Sequence, residues 1–344
     1  MINEDKFDET TRLLTTATES GQVRAAVAYA RIGETIFHRA FGEAQATDVS
    51  FLLGSISKPI AVTALMTLFD HGKFQLSDAV KKYIPEFTGD ERERVTIQHL
   101  LTHVSGLPDQ LPENADLRKG HAPLAEFVKG TIKVPLRFKP GTRYEYSSMA
   151  IMLALEIAQR ISGTEFIEFV HKTVLQPLGM HQTAFGMGQL NREKVMSCQV
   201  EFGAIESGGG SPDSKSWDWN SPYWRQLGAP WGGAHASALD VAIFLDEFMH
   251  PSGKLIRPDV TQRMIRNHNP AGLPTRGLGL DVGMSDVVKL ASDDTFGHTG
   301  STGTIAWADP KRDRVCVVLT TLPAGASPNH VRQLASNSIS SIVL

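Results

Sequence analysis

Along residues 6–19 the leucines recur at a spacing that lines one face of a helix, and Gly21 stops it. Val23 to Ala30 and Glu34 to Phe41 are dense in small and β-branched residues around Ile32-Gly33, which predicts a strand, a turn and a strand. The most apolar run, Ile60 to Phe69, predicts a buried helix reaching about His71, with Ser55 or Ser57 as its cap and Gly72 as its stop. Further on, helical spacing covers Thr96 to Thr102, Met149 to Ile161 and Glu165 to Val174. Breaks fall at Ser105-Gly106-Leu107-Pro108, Pro140-Gly141, Ser162-Gly163 and Pro177-Leu178-Gly179. The mixed charges of Asp90-Glu91-Arg92-Glu93-Arg94 read as a solvated turn.

Periodicity disappears from Gly203 to Gly233, which is rich in Gly, Ser, Pro and Trp and reads as a long loop or lid. Trp217, Trp219, Trp224 and Trp231 fall in it. They either pin the loop to the body or form an apolar wall for an acyl or aromatic group. Strand patterns return at Gly277 to Gly283, Thr304 to Ala308 and Arg314 to Thr321, the last two separated by Asp309-Pro310-Lys311. Ser336 to Leu344 reads as a closing helix. Strands at both ends with helices between them predict an α+β fold whose sheet is built from both termini. There is no internal repeat.

Composition narrows the class of protein. Of 344 residues, 41% are hydrophobic and 21% charged, as in a folded protein with a large core. The net charge of -3 offers no basic field for nucleic acid. Cys198 and Cys316 are too few for a disulfide framework and sit among apolar or small neighbours, which fits buried thiols in a reducing compartment. The start Met1-Ile2-Asn3-Glu4-Asp5-Lys6 is not that of a secretory signal, and Ile60 to Phe69 is too short to span a bilayer. The expectation is a cytoplasmic protein without a membrane or nucleic-acid partner.

The chemistry begins at Ser55-Ile56-Ser57-Lys58. A serine hydroxyl needs a base to take its proton, and residues three apart on a helix share a face, so the Lys58 amine can reach Ser55. On its own the pattern is weak, because about one Ser-x-x-Lys is expected by chance in a chain of this length. A lysine accepts a proton only when neutral, which burial, nearby positive charge and a helix N-terminus all favour. Tyr146, in Tyr146-Ser147-Ser148, can assist as phenolate or as phenol shuttle. The backbone N–H groups of Ser55 and Ser301 are natural donors to an oxyanion, and the glycines around His298-Thr299-Gly300-Ser301 let a substrate lie along a strand edge. Ser148 reads either as a site residue or as the cap of the helix that follows. His99 and His103 have a zinc-compatible spacing but no third ligand, so they read as structural and no metal or cofactor is expected. A Gly-x-Ser-x-Gly elbow and a phosphate-binding glycine loop are both missing.

These residues, in this order, resemble the serine β-lactamase and D-Ala-D-Ala carboxypeptidase family, and within it the class C β-lactamase group with its esterase relatives, the family VIII carboxylesterases. Ser55-Ile56-Ser57-Lys58 is similar to the nucleophile motif. Gly72-Lys73-Phe74-Gln75-Leu76-Ser77-Asp78 and Tyr83-Ile84-Pro85-Glu86-Phe87 resemble the stretch that follows it. Leu100-Leu101-Thr102-His103-Val104-Ser105-Gly106-Leu107-Pro108 is similar to a family hallmark. Tyr146-Ser147-Ser148 stands where Tyr-x-Asn belongs, and Pro177-Leu178-Gly179-Met180 follows. Gly297-His298-Thr299-Gly300 takes the Lys-Thr-Gly position, with Asp309-Pro310 in the next hairpin.

The resemblance implies one catalytic domain: an antiparallel sheet flanked by helices, from about 1–75 and 240–344, with a mostly helical subdomain at about 76–239 inserted. It implies acyl transfer through an acyl-enzyme on Ser55, with Lys58 and Tyr146 as the base system and Ser148, His298, Thr299 and Gly300 against a small-molecule ester or amide. Two departures matter. Ser148 replaces an asparagine that binds the substrate amide, and His298 replaces a lysine that helps hold a substrate carboxylate. A histidine is mostly neutral at pH 7. Both changes favour an esterase on small acyl esters. A β-lactamase or D-amino-acid peptidase, an acyltransferase and a binding or sensor module of the same fold are the competing readings.

Overall fold

The computed structural model describes residues 4–343. The first three residues, which carry part of the N-terminal reading, lie outside it, as does Leu344, the last residue of the expected closing helix. Nine strands occur among the described residues: β1 (Ala25–Ile32), β2 (Thr35–Gly42), β3 (Phe51–Leu52), β4 (Ala184–Phe185), β5 (Ala234–Ala236), β6 (Asp281–Val282), β7 (Phe296–Gly300), β8 (Thr304–Asp309) and β9 (Arg314–Thr320). Six form one antiparallel sheet in the order β2-β1-β9-β8-β7-β6, so the two chain ends meet where β1 pairs with β9. The small sheet β3-β5-β4 was not visible as a pattern, since two strands of two residues and one of three are too short to show alternation.

Both faces of the large sheet are covered, which is why β1 and β9 read as nearly unbroken apolar runs. Val27, Val317, Leu319 and Ala306 pack with the helices Ser57–Asp70 and Ala238–Met249 on one face. Ala28, Cys316, Val318 and Trp307 pack on the other with the helices Asp8–Glu19 and Val331–Ser341. Side chains alternate along β7, so His298 and Gly300 share the face of Phe296, toward the central helices.

Several local expectations are corrected. The Ser57–Asp70 helix follows a single 3-10 turn, Gly54–Ile56, and neither Ser55 nor Ser57 caps it. Ser57 Oγ instead accepts the N–H of Ala234 at 3.0 Å and ties the helix to β5. The strand expected over Gly277 to Gly283 shrinks to Asp281–Val282. The helix expected over Glu165 to Val174 contains a π turn, His171–Leu175, where the bonding pattern shifts. The solvated turn at residues 90–94 buries Arg92, which donates to the carbonyls of Lys133 at 3.0 Å and Val134 at 2.7 Å. Residues 203–233 carry short 3-10 turns and the helix Pro222–Leu227, and all four of their tryptophans are buried. No helix among the described residues is long and apolar enough to cross a membrane.

What positions the site is a crossing of two segments. The turn between β7 and β8 lies on the chain just ahead of Ser55. Thr302 Oγ1 donates to the carbonyl of Leu52 at 2.6 Å, and Thr304 Oγ1 to that of Leu53 at 2.7 Å. The fit depends on missing side chains. A Cβ on Gly300 would stand 2.1 Å from the Leu53 carbonyl oxygen. Gly54 has φ +56°, and a Cβ there would stand 3.1 Å from the Ser301 nitrogen. Gly300→Ala should therefore push β7 away from Leu53 and destabilise the fold by about 1–3 kcal/mol. Urea unfolding checks this, and an unchanged midpoint would show that the two segments have slack between them.

Candidate active site

Ser55 stands in the 3-10 turn and Lys58 in the first turn of the next helix, so their spacing of three residues places both on one side. Lys58 Nζ lies 2.9 Å from Ser55 Oγ and 2.8 Å from the carbonyl oxygen of Trp231. It has no exposed surface. Burial lowers its pKa from 10.5 to about 7; Asp109 pulls the value up and Arg276 pushes it further down. Half of these amines are thus neutral near pH 7. A neutral amine has two hydrogens and one lone pair: one hydrogen serves Trp231 and the lone pair can face the Ser55 hydroxyl.

Tyr146 packs over this pair. Lys58 Nζ is 4.7 Å from its ring centre, and its hydroxyl is 3.5 Å from His298 Nε2. Burial pushes the phenol well above its ordinary value of 10, while the charge of Arg276 and the hydrogen bond with Ser55 pull it part of the way back. Tyr146 is therefore a phenol at neutral pH, which removes the phenolate alternative for the resting site. His103, at φ +60°, packs its ring 4.5 Å from that of Tyr146, and its Nδ1 accepts the N–H of Ser147 at 3.2 Å.

The cap question resolves at residues 147 and 148. Ser147 Oγ accepts the N–H of Ala150 and is the cap of the Ser148–Ser162 helix. Ser148 is not the cap. It borders the same cavity as Ser55, and its N–H donates to Asp109 Oδ1 at 2.8 Å.

That cavity, of about 160 Å³, is bounded by Ser55, Tyr146, Ser148 and Ser301, by Asp109, and by Trp219, Trp224 and Trp231. Three of the four loop tryptophans thus form a wall as well as a pin. The Ser55 and Ser301 backbones are brought together by the close approach at Gly54, where two N–H groups can face one oxyanion. His298, Thr299 and Gly300 lie on β7, next to Ser301, and are not among the residues that line this cavity.

His298 is neutral, and its partners assign the tautomer. Nδ1 donates to the Thr299 carbonyl at 2.7 Å, and Nε2 accepts from Arg276 Nη2 at 2.8 Å. Burial, then Arg276, then Lys58 hold its pKa well below 6.5. The fixed cation here is Arg276, which is 2% exposed and paired with Asp281. Sequence reading missed Arg276, Asp109 and the Trp231 carbonyl. Asp109 directly follows Leu107-Pro108, but a lone charged residue in a loop has no periodicity to betray it. His99 joins Thr96 in a capping box, and among the described residues no three His, Cys, Asp or Glu side chains gather as a metal would need.

Comparison with known proteins follows the geometry. A family model described as Beta-lactamase matches residues 11–337. A protein of Salmonella enteritidis, provisionally named a D-alanyl-D-alanine carboxypeptidase, is 28% identical over 308 residues, 80% of this chain and 70% of its own. The structure of EstCE1, titled a hydrolase with promiscuous acyltransferase activity, covers 99% of this chain and 100% of its own with a TM-score of 0.78 at 18% identity. A D-amino acid amidase from Ochrobactrum anthropi, in complex with D-phenylalanine, covers 97% and 98% with a TM-score of 0.77 at 20% identity. At those identities the two structures establish the fold.

Arg276 and Lys58 repel each other, so removing the guanidinium favours the ammonium. In protein carrying labelled lysine, NMR titration should find one amine with a pKa of about 7, and Arg276→Met should move it upward. A downward move would show that burial of Lys58, not Arg276, changes in the variant.

Proposed function

The chain belongs to the beta-lactamase family, a family of serine hydrolases, and we propose that within it the protein is an esterase that forms an acyl-enzyme on Ser55 with small acyl groups. One observation carries the reading: the Ser55 hydroxyl is 2.9 Å from the amine of a fully buried lysine, and that burial lowers the amine's pKa to about 7. In this mechanism the Ser55 oxygen bonds to the substrate carbonyl carbon as its proton passes to Lys58. The carbonyl oxygen becomes an oxyanion facing the N–H groups of Ser55 and Ser301. The bond to the leaving alcohol then breaks, and that oxygen takes a proton from Tyr146, which recovers one from Lys58. A water repeats the sequence and releases the acid. In this scheme Ser148, which borders the cavity, faces the substrate, and His298, Thr299 and Gly300 stand on β7 next to Ser301, outside the cavity lining.

Ester preference is supported by the cation's place. Arg276, the buried cation beside His298, is engaged by Asp281 and His298 and so is not free to hold the carboxylate of a β-lactam or a peptide. The cavity of about 160 Å³ supports a short acyl chain. Cleavage of D-amino-acid peptides is the second reading, favoured by the name of the Salmonella relative. Two buried, unpaired thiols, Cys198 and Cys316, support a reducing compartment.

The test sets short nitrophenyl esters beside a chromogenic cephalosporin and a D-Ala-D-Ala peptide. We expect ester turnover, lowered by about 10²–10⁴ in Lys58→Ala and abolished in Ser55→Ala. Because Lys58 must be neutral to accept the proton, kcat/KM should fall as pH drops through about 7. Ester turnover that survives Ser55→Ala would remove Ser55 as nucleophile, and cephalosporin turnover without ester turnover would overturn the esterase preference.

A further inference from the structure

Arg118 borders the Ser55 cavity and has no part in the proposed chemistry. It sits in the short helix Asn114–Lys119, is 3% exposed, and borders the cavity with Ser55. Its guanidinium carbon lies 4.1 Å from the centre of the Trp224 ring. Its Nε and Nη1 are buried without a hydrogen-bond partner among the described residues. No carboxylate among those residues forms a salt bridge with it. Burial lowers its pKa to about 10, so it stays charged at neutral pH.

Such an arrangement is costly as it stands. Taking an ion out of water costs several kcal/mol, and a cation–π contact returns about 0.5–2 of that. Among the described residues the other buried arginines are met: Arg92 by two carbonyls and Asp90, Arg276 by Asp281 and His298, and Arg314 by the carbonyls of Ser340 and Ile342. Arg118 differs in having no hydrogen bond or salt bridge among the described residues: the face of the Trp224 ring fixes the plane of its guanidinium, Glu206 and Tyr223 act on it only through charge, and its edge is left for an acceptor. Planar N–H groups of this kind bind a carboxylate through two parallel hydrogen bonds. Asp109, which also borders the cavity, is already bonded to the Ser148 N–H. Glu206 also borders the cavity but is exposed.

We propose that Arg118 selects substrates whose acyl group ends in a carboxylate, so that the natural substrates are monoesters or monoamides of short dicarboxylic acids. The proposal rests on the acyl-enzyme reading above. The acyl group is the part that stays joined to Ser55 while the alcohol departs, so a cation bordering the same cavity as Ser55 is placed to meet the acyl chain. Its volume of about 160 Å³ holds about five waters at the ~30 Å³ each occupies in the liquid, which limits the acyl group to a short chain. The buried cation loses its cost when that carboxylate arrives, whereas a neutral chain leaves it unpaired.

The experiment compares monophenyl glutarate with phenyl valerate, which has the same chain length and no charge. In the native protein kcat/KM should favour the glutarate by roughly 10- to 100-fold, the range of a charged hydrogen-bonded contact. That ratio should collapse in Arg118→Met and partly return in Arg118→Lys. Calorimetry on Ser55→Ala should find the same preference in binding, without turnover. Equal kcat/KM for the two esters, with turnover dependent on Ser55, would overturn the role of Arg118 and leave the esterase reading standing. Tighter binding of the glutarate to Ser55→Ala in the absence of any turnover by the native protein would support Arg118 and remove the esterase reading.

Discussion

An amine with no exposed surface, caught between a serine hydroxyl and a peptide carbonyl, is the constraint on which the rest of this structure depends. Burying Lys58 is what brings its pKa to about 7, and burial of an amine is tolerable only if its polar atoms are met. Ser55 lies three residues earlier and supplies one partner; Trp231 supplies the other from 173 residues away. The long irregular segment that carries Trp231 is thus held to the first catalytic-type turn by a hydrogen bond that only a folded chain can make. Three of its tryptophans, Trp219, Trp224 and Trp231, wall the cavity that Ser55 borders.

The sheet serves the same end from the opposite side. β7 is fixed by its pairing with β8, and the turn joining them is bonded to Leu52 and Leu53 through two threonine hydroxyls. Side chains are absent where the two segments touch, at Gly54 and Gly300, because the backbones approach within the space of a Cβ. A displacement of this turn therefore moves the Ser301 N–H relative to Ser55, so packing and the geometry of any oxyanion contact are set together. Helices on both faces of the sheet leave β7 little freedom to shift.

The fold class was legible because each of its signals is local or repeats. The apolar runs of β1 and β9 and the glycine stops at Gly72 and Gly163 need no tertiary information. The Ser55–Lys58 pair and Tyr146 lie in ordered motifs, so their resemblance pointed to one site before any coordinate was known. What escaped was of two kinds. Capping was misread at Ser55 and Ser57 and left open at Ser148 because hydroxyls within one or two positions of a helix start are chemically alike, and only their tertiary neighbours separate them. Arg118, Arg276 and Asp109 escaped because a charged residue in a loop or short helix carries no period. Arg92 shows the same limit: in a run of mixed charges, nothing distinguishes the arginine that turns inward to the carbonyls of residues 133 and 134.

The exchange of a motif lysine for His298, with Arg276 behind it, separates two tasks that a single cation on β7 would combine. Holding a carboxylate takes direct contact, with donor and acceptor about 2.7–2.9 Å apart. Tuning an amine takes only charge, which acts over many ångströms where water is excluded. Arg276 lies 5.5 Å from the centre of the Tyr146 ring and lowers the pKa of both Lys58 and Tyr146, yet it is shut off from the cavity and bonded to Asp281 and His298. It therefore keeps the long-range effect and gives up the short-range one. His298, neutral and bonded on both nitrogens, passes no charge forward. A cation that meets the substrate must then come from elsewhere, and the one charged nitrogen group bordering the Ser55 cavity without a hydrogen-bond partner among the described residues is that of Arg118. On the proposal made for Arg118, tuning and recognition fall to two arginines, one bonded to His298 and one bordering the cavity, so each can change without undoing the other.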